Sequence, residues 1–103
     1  MKINKEIASM TIAGKTYTIE TSNHAAERMV ERNVDAYVVA GSVLALGPAR
    51  IDALQAERED AMIIDKENNI AVVVALRPNE ITIVTVINKS NVFVKDNTTI
   101  CNI

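Results

Sequence analysis

The sequence predicts an α+β fold: an opening hairpin, two or three helices, and then an antiparallel β-meander. Three observations carry that prediction. Helix caps and helical spacing are concentrated in residues 22–44, Val- and Ile-rich runs dominate from Ala61 onward, and only two to four residues separate those runs. At 103 residues, against roughly 150 for an average domain, the chain is expected to form one domain over 1–103.

Ile7–Ile12 and Lys15–Glu20 flank Ala13-Gly14, and the second run alternates Thr16, Thr18 and Glu20 with Tyr17 and Ile19. This is a hairpin pattern. Ser22 can cap a helix running from Asn23 to about Arg32, and Asn33 can take the left-handed conformation that ends it. Asp35 can cap a second, largely apolar helix from Ala36 to about Leu44, which Gly47-Pro48 breaks. Residues 49–60 suit either a short third helix or an ordered loop. Four strands are then expected, at Ala61–Asp65, Ile70–Arg77, Ile81–Asn88 and Asn91–Val94. Links this short leave no room for the crossover that parallel neighbours need, hence the meander.

Composition removes several functions. Hydrophobic residues make up 49% and charged residues 23%, as in ordinary globular proteins. The longest apolar run, Ile70–Leu76, falls far short of the roughly 20 residues of a membrane-spanning helix. No membrane association is expected. Lys2 and Lys5 have no apolar block behind them, so no secretory leader is expected either. The net charge of -2 supplies no global attraction for nucleic acid, so any phosphate site must be local. One Cys and one His exclude an intramolecular disulfide and the ordinary zinc arrangements, and neither a metal nor a cofactor is expected. Three aromatic residues are too few for a base-stacking platform. Cys101 reads as a small buried hydrophobe, and Lys15 and Lys89 as solubilising lysines at strand ends.

Helical projection at about 100° per residue puts His24, Arg28 and Arg32 on one stripe, beside the face of Ala26, Met29 and Val30 that is expected to be buried. Glu27 and Glu31 form a parallel acidic column. Both columns set like charges at i,i+4, each pair costing a few tenths of a kcal/mol, which the Arg28–Glu31 pair offsets in part. That segregation suits a phosphate-facing strip. In metal-independent RNA cleavage a base takes the ribose 2′-hydroxyl proton, cations stabilise the phosphorane and an acid protonates the departing 5′-oxygen. His24, as a neutral imidazole, can serve as the base and the two arginines as the cations. Glu27, Glu31, Tyr17, Lys89 and water stay open as the acid.

The segment Ser22-Asn23-His24-Ala25-Ala26-Glu27-Arg28-Met29-Val30-Glu31-Arg32-Asn33-Val34 resembles the H-x-x-x-R-M-x-x-R-x-[IV] signature of small bacterial toxin-like domains. These are related to the barnase, EndoU, colicin and RelE ribonuclease fold. Ile81-Thr82-Ile83-Val84-Thr85-Val86 resembles the same group's hydrophobic strand ending in T-V. The resemblance spans about two-thirds of the chain by organisation, while only His24, Arg28, Met29, Arg32 and Thr85 match by motif. It implies an endoribonuclease toxin, with transfer RNA a common substrate in the group. His24 would be the catalytic or positioning histidine, Arg28 and Arg32 phosphate-binding or structural arginines, and Thr85 a hydroxyl facing the cleft.

A cognate immunity or antitoxin protein is then implied, as is action in the cytoplasm, whether as a free-standing toxin or as the delivered end of a larger secreted one. The alternative is a non-catalytic protein-binding or assembly domain on the same fold, in which the stripe is a contact surface. The bland reading of each residue stands beside these: a surface histidine, solvated arginines, a threonine chosen as a β-former.

Overall fold

A computed structural model of the chain describes residues 5–12, 14–57, 60–77, 80–92 and 99–103. Strand β1 (Lys5–Ile12) turns back at Gly14, whose φ of +80° a side chain would oppose, into antiparallel β2 (Lys15–Thr21). Ala13, the other expected turn residue, lies outside the described residues. The alternation in β2 works as predicted, with Tyr17 and Ile19 buried and Thr16 exposed.

Helix α1 (Asn23–Glu31) starts where the Ser22 hydroxyl accepts the Ala25 N–H at 3.1 Å and ends before Asn33, whose φ is +53°. Asp35 caps helix α2 (Ala36–Leu44), its carboxylate accepting the Tyr37 N–H at 2.7 Å. The segment that suited helix or loop is helix α3 (Pro48–Glu57). Proline at its first position gives up an N–H that would have no intrahelical partner.

Strands β3 (Asp60–Asp65), β4 (Ile70–Arg77) and β5 (Glu80–Ile87) form the expected antiparallel meander. Two expectations need correction. The sheet is mixed, not wholly antiparallel: its order is β1-β2-β5-β4-β3-β6, with β2 parallel to β5 and β3 parallel to the last strand, β6 (Thr99–Asn102). Short links constrain only strands adjacent in sequence, whereas β2 and β5 are separated by three helices and two strands, ample chain for a parallel pair. The strand expected at Asn91–Val94 is also not found over its described residues. Asn91 and Val92 are not in a strand, Phe93 and Val94 lie outside the described residues, and β6 takes the edge beside β3.

The helices cover one face of the sheet. Their apolar side chains, Ala25, Met29, Val39, Val43, Ile51 and Leu54, join inward residues of β2 to β6 in the main core, whereas Val30, expected on the buried face of α1, is exposed because the helix packs on its Ala25–Met29 side. On the other face Met62, Ile64 and Ala71 form a smaller cluster, packed by Val73, Ile87 and Val92. One irregularity positions everything that follows. Val73 pairs with Thr85 and Val74 with Ile83, so Val84 bulges out of the β4–β5 ladder. Ile81 and Ile83 face the main core, but beyond the bulge Val86 takes that side and Thr85 faces away from it.

Candidate functional site

Strand β2 ends at Thr21, opposite Ile83, and among the described residues the second half of β5 has no strand neighbour on that side. Buried strand carbonyls need donors. Helix α1 supplies them. The Ser22 N–H donates to the Ile83 oxygen at 3.1 Å, the Ser22 hydroxyl to the Val84 oxygen at 3.3 Å, and the Arg32 Nη1 to the Val86 oxygen. The helix is thereby tied to β5 on both sides of Thr85.

The four sequence candidates are distributed around these ties. Arg32, half-buried, is the second tie, and Thr85, half-buried on the outer face of the sheet, is the next residue to its acceptor. His24 is exposed, two residues beyond the Ser22 tie, and among the described residues makes no side-chain hydrogen bond. Arg28 is directed along the helix to Glu31, Nη1 to Oε2 at 2.7 Å. Arg32 and Ser22 thus tie α1 to β5 on either side of Thr85, whose side chain faces away from the core that the helices cover. The two guanidiniums have different partners: one holds the fold and the other pairs with a surface carboxylate.

Sequence reasoning missed Glu20. It pairs with Thr82 across the parallel β2–β5 register, and the Thr82 hydroxyl donates to its Oε1 at 3.2 Å. Both belong to the outward-facing set of their strands, as Thr85 does. The signal was available, since Glu20 is the one carboxylate in the alternating outward positions of β2. Among the acid candidates, Tyr17 is buried and its hydroxyl donates to Asp52 at 2.7 Å, holding β2 to α3. That hydrogen bond, with burial and the Asp52 charge, raises its pKa. Glu31 is bonded to Arg28, and Glu27 and Lys89 are exposed. The Lys15 side chain lies outside the described residues.

Among the described residues, hollows adjoin α1 and α2. A cleft of about 690 Å³ is lined by Ile7, Thr21, Ala26, Met29, Val30 and the Asn33–Ala36 connection, on the flank of α1 away from the basic stripe. A second, of about 340 Å³, includes Arg32. A third, of about 320 Å³, lies by Asp65 and Gly41. His24, Arg28 and Thr85 line none of them. Asp65 is 4% exposed, and burial pushes its carboxyl up. Hydrogen bonds from the Asn68 side chain at 2.8 Å, from Ser42 at 2.7 Å and from the Asn68 and Glu67 backbone outweigh that and leave the pKa lowered. This network fixes the β3–β4 turn. Cys101 is buried in β6, and burial raises its pKa against the opposing charge of Arg50. Among the described residues no three His, Cys, Asp or Glu side chains cluster as metal ligands would.

No protein-family model, curated protein or solved structure matches the chain.

Proposed function

We propose that this chain is an RNA-cleaving toxin domain of the barnase, EndoU, colicin and RelE type, acting in the cytoplasm and neutralised by a cognate immunity or antitoxin protein. The observation that carries the reading is the double tie of α1 to β5 by Ser22 and Arg32, which bracket Thr85 and leave His24 open to solvent. An open, shallow surface suits a polymer laid across it better than a small molecule enclosed by it.

In this mechanism His24 removes the proton from a ribose 2′-hydroxyl, and the 2′-oxygen attacks the adjacent phosphorus. The bond to the 5′-oxygen breaks as a solvent water gives that oxygen its proton, leaving a 2′,3′-cyclic phosphate and a 5′-hydroxyl. Arg28 swings from Glu31 to the phosphate, and the Thr85 hydroxyl donates to a non-bridging oxygen. Arg32 acts as a positioning residue through Val86. Incubating the purified chain with total RNA, transfer RNA included, in a chelator should yield fragments with those ends, and His24→Ala should abolish them.

The second reading, a non-catalytic protein-binding domain, is favoured by a different feature. Val30, on the wall of the 690 Å³ cleft, is 82% exposed, and Tyr37, next to the cleft residue Ala36, is 83% exposed. Apolar side chains so placed suit a protein contact. RNA left intact by the wild-type chain would select this reading.

A further inference from the structure

We propose that the 340 Å³ hollow between the end of α1, the start of α2 and the β3–β4 turn binds one nucleobase of the RNA strand. This rests on the cleavage reading and extends it to a substrate subsite. Its volume lies near the lower end of small-ligand sites, about 300–1,000 Å³, which suits a base or nucleoside.

The hollow is built rather than incidental. Two of its asparagines hold its wall: the Asn68 side chain donates to Asp65 at 2.8 Å, and Asn69 Oδ1 accepts both the N–H and the hydroxyl of Ser90 at 3.0 Å. These bonds join the β3–β4 turn to the chain just after Asn88. Two other asparagines remain for a ligand, since among the described residues the side-chain amides of Asn33 and Asn88 make no hydrogen bond. Arg32 spends Nη1 on Val86 and keeps its other N–H groups, while Asp35 spends Oδ1 on the Tyr37 N–H and keeps Oδ2.

Val38 and Ile70 line the same space and supply apolar surface. Donors, acceptors and a small apolar wall together match a nucleobase, which has apolar faces and an edge where donors and acceptors alternate. A bare phosphate fits less well, because Asp35 would repel it. The shared element is Arg32, which lines the hollow and bonds Val86 beside Thr85. A base seated here would lead the strand past Arg32 toward β5.

The test is titration of the full chain with adenosine, guanosine, cytidine and uridine, and separately with ribose 5-phosphate, followed by amide resonances in two-dimensional NMR. At least one nucleoside should shift Asn33, Ile70 and Asn88, while ribose 5-phosphate leaves them in place. Asn88→Ala, and Asn33→Gly, which keeps the positive φ, should each weaken that nucleoside about threefold to tenfold, the loss of one neutral hydrogen bond. No shift from any nucleoside, or an equal shift from ribose 5-phosphate, overturns the subsite. RNA cleavage is scored independently: nucleosides bound with RNA left intact uphold the subsite and sink the nuclease, and the reverse pattern does the opposite.

Discussion

The Arg32 guanidinium donates to the main-chain oxygen of Val86, closing the part of β5 that β2 leaves uncovered. A residue of the basic stripe is thereby committed to the fold. The consequence separates two arginines that look equivalent in sequence.

Arg32→Ala should cost about 1.5–3 kcal/mol in chemical denaturation, since it leaves a half-buried carbonyl without its charged donor. Arg28→Ala should cost at most about 1 kcal/mol, because its pair with Glu31 is on the surface. In RNA cleavage the order reverses per unit of stability lost: Arg28→Ala should lower kcat while the fold stays intact. Equal unfolding midpoints for the two variants would contradict the assignment of Arg32.

His24→Ala should reduce cleavage by about 10²–10⁴-fold, the usual contribution of a general base. Its side chain is exposed, so the melting temperature should stay at the wild-type value. Both measurements are needed on the same preparation.

Thr85→Val keeps the shape and removes the hydroxyl. If that hydroxyl donates to phosphate, kcat should fall about tenfold, with stability unchanged or improved by the β-branched hydrocarbon. Thr82→Val tests the neighbouring Glu20 contact in the same way. Cleavage at the wild-type rate in Thr85→Val would remove the sheet from the reaction.

Acid stability should depend on Asp65. Its folded pKa is lowered, so the stability it contributes is present above the ordinary carboxylate range and is lost as pH falls through the folded value. Ser42→Ala should cost about 1–3 kcal/mol at neutral pH and flatten the acid limb of the stability curve, measured by denaturation from pH 7 to pH 2.

Tyr17 supplies the opposite limb. Its raised pKa means that stability is fully present below the ordinary tyrosine value and is lost as pH rises through the higher folded value. Alkaline unfolding followed by circular dichroism should therefore begin above about pH 10, and Tyr17→Phe should lose this tyrosine-linked component.

Local chemistry made the helices legible. Ser22, Asn33 and Asp35 act through backbone groups one to three residues away, so capping and termination follow from sequence alone. The outward set of β2 and the β3–β4–β5 meander followed from period and link length for the same reason. What long-range pairing decides was not legible. Which strand lies beside β5, and where β6 joins, depend on contacts between segments distant in the chain.

The candidate site divides along that line. Sequence by itself determined that His24, Arg28 and Arg32 share a helical stripe, because 3.6-residue periodicity is local. Only the tertiary structure decided their separate roles. The early end of β2 exposes the carbonyls that Ser22 and Arg32 satisfy, and the bulge at Val84 turns Thr85 outward where uninterrupted alternation from Ile83 would turn it inward. The physical reason is one of range: a side chain's periodicity is set by its own backbone, but its partner is set by whichever unsatisfied group the rest of the fold brings to it.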